Sequence, residues 1–310
     1  MSSESLYQSK ALKVLDSKGW VRTNLLKRYL SSTVDAIRFY HFMGKVARIP
    51  LIGIPVKQTL SLYYRYLHTN SLIFPIHEME KVIETATDIQ VDPCPCRVIA
   101  EEDACDAPLY TCMRINHTAT VRKEIKGSKS LSKENALSIL KASHAKGLVL
   151  SLESCIQPYH NNICMCCSCC CIAMKMRYDY GIGIYNSGPY LPFFDPGACT
   201  HCGTCETTCP VDALSMVEGK VFVDQSRCLG CGLCAQGCPS SALEMVFQPS
   251  RIRQESEPGP VRLFLYLLYI YSVMIPSIWI YKRVTGSKEE LMQNARPNDH
   301  DVYRPSMQAK

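Results

Sequence analysis

Two copies of one cysteine pattern, "CTHCGTCETTCP" at Cys199–Pro210 and "CLGCGLCAQGCP" at Cys228–Pro239, decide the fold of this part of the chain. Each copy has four cysteines at a C-x2-C-x2-C-x3-C spacing and a proline directly after the fourth. A repeated pattern of this kind indicates an internal duplication, in which two similar units each collect several thiolates. The tight loop brings three thiolates together before the chain leaves, so a site of four must take its last ligand from elsewhere.

This spacing is typical of cysteines that bind cubane 4Fe-4S clusters, and residues 195–246 resemble a bacterial-type two-cluster ferredoxin domain. In that family the fourth cysteine of each run binds the cluster of the other run. The resemblance therefore implies one 4Fe-4S cluster on Cys199, Cys202, Cys205 and Cys238, and a second on Cys228, Cys231, Cys234 and Cys209. The alternative is a pair of zinc sites, although structural zinc prefers two separated C-x2-4-C pairs.

The residues around the two motifs fit a short, tightly turned domain. Gly203, Thr204, Gly230 and Gly232 allow backbone N–H groups to approach cluster sulfurs. The pairs Ala213-Leu214 and Ala242-Leu243 each predict the start of a strand or turn, and "KVFVDQSRC" predicts the strand that returns to the second motif. The segment contains no paired carboxylates, nucleophile elbow or phosphate loop. It therefore predicts an electron-transfer unit and not a reaction site.

A second cysteine-rich stretch, "ICMCCSCCCIAM" at Ile163–Met174, has six cysteines between Cys164 and Cys171. Their number predicts at least one additional iron-sulfur centre, with zinc and redox-active or structural thiols as the alternatives. If "CIAMKM" begins a helix, Cys166 and Cys170, or Cys167 and Cys171, lie one turn apart on one face. The candidate ligands are the eleven cysteines outside the duplicated motifs: Cys94, Cys96, Cys105, Cys112, Cys155, Cys164, Cys166, Cys167, Cys169, Cys170 and Cys171.

Cys94 and Cys96 stand in "PCPCR", where the prolines predict an extended loop and Arg97 can offset the charge of thiolates. With the later cysteine run and the ferredoxin motifs, residues 75–246 resemble uncharacterised cysteine-rich 4Fe-4S proteins of anaerobic microbes. That resemblance implies an anaerobic redox role and transfers no catalytic residue. His117, His160 and His201 are possible ligands or proton donors, but isolated histidines are more often ordinary surface or core residues.

Composition limits the class of protein. The 310 residues are 47% hydrophobic and 20% charged, which favours a globular chain over a disordered one. Nineteen cysteines without a secretory signal pattern at the start predict reduced, metal-binding thiols and not a disulfide framework. The formal charge of +6 does not indicate nucleic-acid binding, because no basic stripe with aromatics and no nucleic-acid motif accompanies it.

The segment Leu263–Tyr281 has nineteen uncharged residues, enough to cross a bilayer, with aromatic and basic residues at its ends. A full span, an in-plane or re-entrant anchor and a soluble partner-binding helix are the three interpretations, and membrane attachment is favoured. Ten lysines and arginines against three acidic residues in the first 57 residues predict either a solvated face or contact with anionic lipid. We expect the clusters to lie on the cytoplasmic side of the membrane.

These patterns predict an α+β protein with a helical basic arm at 1–75 and a small cysteine-rich α/β domain at 76–190. A bacterial ferredoxin-like domain follows at 191–250, and an apolar helix with a polar tail at 251–310. The expected function is that of a membrane-associated electron-transfer subunit with redox partner proteins, in an anaerobic respiratory or reductase complex. The alternative is an oxidoreductase that reduces a small substrate such as a disulfide, at a thiol or open-coordination cluster in the cysteine-rich domain.

Overall fold

The helices and strands of the protein form a mixed fold, which agrees with the α+β class expected from the sequence. The computed structural model describes residues 20–66, 71–154, 161–251, 260–298 and 300–302. Cys155, His160 and the first nineteen residues of the basic arm lie outside the described residues.

Short apolar runs between turns form a six-stranded sheet. Its strands in chain order are β1 (Leu72–Ile73), β2 (Ile89–Asp92), β3 (Cys112–Ile115), β4 (Lys129–Ser130), β5 (Val149–Glu153) and β6 (Asn162–Cys166). Their order across the sheet is β1-β5-β6-β3-β2-β4, and every neighbouring pair is antiparallel. The cysteine-rich region is thus an antiparallel α+β unit. The neighbouring strands of the expected α/β arrangement would instead run parallel.

Five helices of this unit are described. They are α4 (Ile76–Thr85), α5 (Pro95–Ala100), α6 (Asn116–Lys123), α7 (Lys133–Ala145) and α8 (Ile172–Tyr178). Ser132 caps the N-terminus of α7, because its Oγ accepts a hydrogen bond of 3.2 Å from the Asn135 N–H. Gly147, at φ +80°, follows the end of α7 and leads into β5. The main core lies between these helices and the sheet and includes Met79, Ile83, Met113, Leu140 and Leu150.

The duplicated motifs form two small sheets and two short helices. Strand β7 (Tyr190–Phe194) pairs with β10 (Leu243–Phe247), and β8 (Leu214–Val217) forms a hairpin with β9 (Lys220–Val223). The helices α9 (Thr204–Thr208) and α10 (Leu233–Gln236) begin directly after a glycine in the left-handed region. The predicted strands after each Ala-Leu pair and at "KVFV" are confirmed.

This motif region packs directly on the six-stranded sheet. The Gly188 N–H donates to the Leu229 carbonyl at 2.8 Å, and a Cβ atom on Gly188 would lie 1.8 Å from the Ile73 carbonyl oxygen. Only glycine permits this close backbone approach. Tyr190 Oη adds a buried hydrogen bond of 2.7 Å to Glu78 Oε1 on α4. The two cysteine-rich parts of the chain therefore share a packed interface.

In the described residues before the sheet the chain forms three helices, and a long apolar helix follows the motif region. The first three are α1 (Trp20–Leu30), α2 (Thr33–Val46) and α3 (Gly53–Tyr66). In the apolar "RIPLIGIPV" stretch the chain turns back on itself before α3. Gly53 permits this turn, since a Cβ at this position would lie 2.2 Å from the Ala47 carbonyl oxygen. The C-terminal helices are α11 (Pro260–Tyr269), α12 (Ile275–Thr285) and the short α13 (Glu290–Asn294).

Between α11 and α12 the helix continues as a π-helical segment, Ile270–Met274. Pro276 explains this widened turn. Its ring would clash with the carbonyl four residues earlier in a regular α-helix, and it has no N–H to donate to that carbonyl. Thus Pro276 locally widens the apolar helix without ending it.

The apolar helix packs along its length on the N-terminal helices. Tyr269 stacks on Tyr63 of α3 with ring centroids 4.4 Å apart, and Tyr281 contacts Phe39 of α2 edge-on at 5.8 Å. Beyond the helix the chain returns to the cysteine-rich unit, where Asp301 Oδ1 accepts a hydrogen bond of 2.8 Å from the Tyr110 N–H. The segments at both ends of the described chain therefore lie against the same body.

Candidate metal centres

The first set of predicted ferredoxin ligands converges in the structure. Cys199, Cys202 and Cys205 line one small cavity together with Cys238, which comes from the second motif. Helix α9 carries Cys205, and the turn before β10 carries Cys238. The fold thus brings three thiols of one motif to the fourth thiol of the other.

The second set is arranged in the same way and is more deeply buried. Cys228 and Cys231 belong to a buried cluster against which Cys209 packs, and Cys209 also interacts electrostatically with Cys234. Burial raises the pKa of Cys231 to about 12, with Cys228 and Cys209 adding to the rise. Neutral thiols are favoured while no cation is near, so a bound metal would supply the charge that thiolates need here.

Backbone donors surround these thiols. The Ala213 N–H points at Cys209 Sγ from 3.2 Å and the Ala242 N–H at Cys238 Sγ from 3.3 Å. The sequence interpretation singled out the glycines and missed these two alanine donors, although the Ala-Leu pairs stand at equivalent positions after each motif. Four converging thiols per site, with N–H donors aimed at the sulfurs, fit the ligand requirements of a 4Fe-4S cluster.

Four upstream cysteines form a much tighter group, which we call the tetrathiol site: Cys105, Cys167, Cys169 and Cys170. The sulfurs of Cys105 and Cys167 are 3.5 Å apart, those of Cys169 and Cys170 3.6 Å, and those of Cys170 and Cys105 3.8 Å. Cys170 is buried, Cys169 is exposed, and the other two are half-buried. Three of these ligands lie in the turn between β6 and α8, and Cys105 follows α5 in the chain.

The remaining described upstream cysteines form a separate chain of contacts. The Cys94 thiol interacts electrostatically with that of Cys96, Cys96 with Cys171, and Cys171 with Cys166. Cys166 continues to Cys164, and Cys164 to Cys112. We call Cys94, Cys96, Cys166 and Cys171 the inner thiol group. The sequence presented one crowded run of cysteines, and the structure divides it between two groups.

The local backbone differs from a helix that begins at "CIAMKM". Strand β6 ends at Cys166, a turn follows in which the Cys171 N–H donates to the Cys167 carbonyl at 3.1 Å, and α8 begins only at Ile172. The pairs Cys166/Cys170 and Cys167/Cys171 are therefore not neighbours on a helix face. The "PCPCR" loop is likewise extended only at Cys94, because Pro95 starts α5 as its first helical residue.

Arg97 is a cation beside the upstream thiols, as the sequence suggested. Its buried guanidinium donates to the Pro108 carbonyl at 2.9 Å and to the Met165 carbonyl at 3.0 Å, and Nη2 lies 3.7 Å from Cys167 Sγ. A hydrogen bond from Cys170, with help from the Arg97 charge, lowers the pKa of Cys167 to about 4. The surroundings thus favour thiolate at Cys167.

A cavity of about 800 Å³ separates the inner thiol group from the helices α2, α3 and α11–α12. Its wall includes Cys94, Cys96, Cys166 and Cys171 on the sheet side and Tyr64, Ile270 and Met274 on the helical side. The space beside the inner thiols is thus large enough for a bulky group. Glu153 also lines it, and burial raises the pKa of its carboxyl to about 7.

The histidines noted in the sequence do not join these groups in the described part of the chain. His117 Nε2 lies 3.1 Å from Thr23 Oγ1 on α1, which is a helix-to-helix contact. His201 Nδ1 lies 3.9 Å from Cys199 Sγ, and its own N–H lies 3.3 Å from that sulfur. His201 therefore contacts the sulfur of the predicted ligand Cys199, and the structure does not indicate that His201 is itself a ligand.

Comparison with known protein families identifies one domain. The family described as "4Fe-4S dicluster domain" matches residues 191–245, which contain all eight cysteines of the duplicated motifs. No curated protein sequence matches the chain. The chain therefore contains an iron-sulfur domain of a type associated with electron transfer. In the part of the chain that the structure describes, one helix, Phe264–Thr285, is long and apolar enough to cross a membrane, which is a weak indication of membrane association.

Proposed function

We propose that this protein is a membrane-associated electron carrier whose ferredoxin domain binds two 4Fe-4S clusters with crossed ligation. One cluster uses Cys199, Cys202, Cys205 and Cys238, and the other uses Cys228, Cys231, Cys234 and Cys209. When bound, such clusters exchange single electrons. The chain supplies the thiolates and the N–H donors of Ala213 and Ala242, and it excludes water from the second site.

We further propose an iron-sulfur centre at the inner thiol group. One observation carries the electron-transfer proposal: Cys171 lies in the same buried hydrophobic cluster as Cys228 and Cys231, with Cys166 and Cys209 packed against it. A single apolar core thus joins thiols of the inner group to thiols of the ferredoxin domain. A continuous apolar core between two centres favours electron exchange between them. On this proposal the partners of the carrier are redox proteins.

The membrane attachment that fits these contacts is in the plane of the bilayer surface. A helix that crosses the bilayer is surrounded by lipid or by apolar helices, whereas α11–α12 lies on helices that carry Arg38, Lys45 and Lys57. Its outward face is apolar, with Phe264 64% exposed and Leu268 51% exposed. Basic residues beside an apolar helical face suit an interface with anionic headgroups. We also propose that the clusters lie on the cytoplasmic side, where thiols stay reduced, and that the complex that uses them is an anaerobic one.

Metal and spectroscopic analysis of the full chain, purified without oxygen, tests the electron-transfer proposal. We expect more than about eight irons per chain, since two cubanes account for about eight and the inner group adds to them. Reduced samples should give electron paramagnetic resonance spectra broadened by spin coupling, because the centres share one core. Fewer than eight irons with zinc in the ferredoxin motifs would overturn the proposal. The oxidoreductase alternative stays a prediction.

A further inference from the structure

We infer that the tetrathiol site binds one tetrahedral metal ion, zinc by preference, and not an iron-sulfur cluster. This inference does not depend on the electron-transfer proposal. The ligands are Cys105, Cys167, Cys169 and Cys170.

Sulfur separations carry the inference. Four thiolates at the zinc–sulfur bond length of about 2.3 Å lie about 3.8 Å apart at the corners of a tetrahedron. The three measured separations are 3.5, 3.6 and 3.8 Å. A cubane instead binds each thiolate at a different iron, which holds the four sulfurs farther apart.

The same structure contains its own comparison. Among the residues that it describes, the tetrathiol site is the one group of three or more possible ligands whose ligand atoms all lie within 4.8 Å of one another. The two ferredoxin sets are also fully described, and neither is so compact. The sulfurs of the cysteines with cluster-ligand spacing are thus farther apart in this fold, whereas the four sulfurs of the tetrathiol site are close enough to bind one ion.

The surroundings match a closed, structural site. Four protein thiolates leave no open coordination position, which is the arrangement of structural zinc. The negative charge of four thiolates also exceeds the positive charge of a divalent ion. The buried guanidinium of Arg97, 3.7 Å from Cys167 Sγ, offsets part of the excess. The ion would tie the segment at Cys105 to the turn after β6. That turn continues directly to Cys171 of the inner group, so the ion would fix the position of a neighbouring ligand.

Zinc, iron and acid-labile sulfide per chain distinguish one ion from a cluster. For the wild type, purified without oxygen, we expect about one zinc per chain, and X-ray absorption at the zinc edge should show four sulfurs at about 2.3 Å. The double variant Cys105→Ser/Cys169→Ser should lose that zinc and keep its sulfide. Ser168→Ala, in the same turn but not a ligand, is the matched control and should keep both.

Each outcome has a clear meaning. One iron in place of zinc, lost from the variant without sulfide, supports the single-ion site and changes only the metal. Loss of iron and sulfide together from the double variant would overturn the inference, as would an unchanged metal content. The paramagnetic signals of the ferredoxin clusters report whether the variant has folded. The zinc-edge spectrum of the wild type needs no variant, and iron or nitrogen neighbours there would also contradict the site.

Discussion

The carboxylate of Asp35 on α2 lies 3.3 Å from the ammonium nitrogen of Lys282, at the end of the apolar helix. The same buried carboxylate accepts hydrogen bonds from Ser287 Oγ at 2.8 Å and from the Lys288 N–H at 3.0 Å. Before the helix, Arg251 donates to the Cys228 carbonyl in the ferredoxin domain at 2.8 Å. Both flanks of the helix are therefore held by the same body, as an in-plane helix requires.

Vesicle binding tests this orientation. Phe264→Ser with Leu268→Ser should weaken binding to anionic vesicles at least about tenfold, because each side chain loses part of the 1.5–3 kcal/mol available from burial, about 1.4 kcal/mol per factor of ten. Flotation at several lipid concentrations measures the partitioning. Phe193→Ser with Val217→Ser is the matched control, since these residues of the ferredoxin domain are 62% and 51% exposed.

The same contacts predict that the C-terminus and the ferredoxin domain lie on the same side of the membrane. A protease added to sealed vesicles should cut a tag at the C-terminus and a site in the ferredoxin domain from the same side. If one of the two sites became accessible only after detergent treatment, the helix would cross the bilayer and the in-plane proposal would be wrong.

Glu289 predicts a pH dependence of folding. Burial raises the pKa of its carboxyl from 4.5 to about 7, although an N–H donor at Asp35 favours the charged form. A raised carboxyl pKa means that the folded state keeps a proton which the unfolded state releases. The stability that this carboxyl contributes therefore falls as pH rises from about 4.5 through 7.

Thermal unfolding at a series of pH values measures this contribution. Glu289→Gln cannot release a proton, so its melting temperature should fall less than that of the wild type between pH 5.5 and 8. Glu290→Gln changes the adjacent, exposed carboxyl and should follow the wild type. Parallel curves for the wild type and Glu289→Gln would contradict the prediction.

Crossed ligation predicts which substitutions share a phenotype. Cys238→Ser should alter the same cluster signal as Cys199→Ser, and Cys209→Ser the same signal as Cys228→Ser, because serine is a poor ligand for this iron chemistry. Redox titration followed by paramagnetic resonance can assign each signal. Pairing within a motif, so that Cys209→Ser resembles Cys199→Ser, would show uncrossed sites.

The ferredoxin domain could be predicted because its ligands follow one another at short, regular spacings. Helix α7 and strand β5 were predictable for a similar reason, since Ser132 and Gly147 mark local boundaries. The tetrathiol site was not, because Cys105 precedes Cys167 by 62 residues and no motif connects them. The fold of the intervening sheet brings them together.

The apolar helix illustrates the same limit. Its length and composition favour membrane attachment but leave a span, an in-plane anchor and a partner-binding helix open. The choice depends on what lies at its ends, and Asp35, some 250 residues away in the chain, provides that contact. An acid within an otherwise basic and apolar segment does not identify its partner in the sequence.

The division of the cysteine run into two groups predicts that adjacent cysteines differ in their effects. Cys166→Ser removes a ligand of the inner thiol group, so iron and sulfide should fall together while any zinc stays. Cys170→Ser removes a ligand of the tetrathiol site, so the single ion should be lost while sulfide is unchanged. Elemental analysis with a sulfide assay measures both, and the ferredoxin signals should persist in each variant. If the two variants lost the same metal and the same sulfide, one shared centre would hold both cysteines and the division would be wrong.

Loss of substrate turnover without loss of metal would instead favour direct thiol chemistry, in which a thiolate attacks the substrate itself.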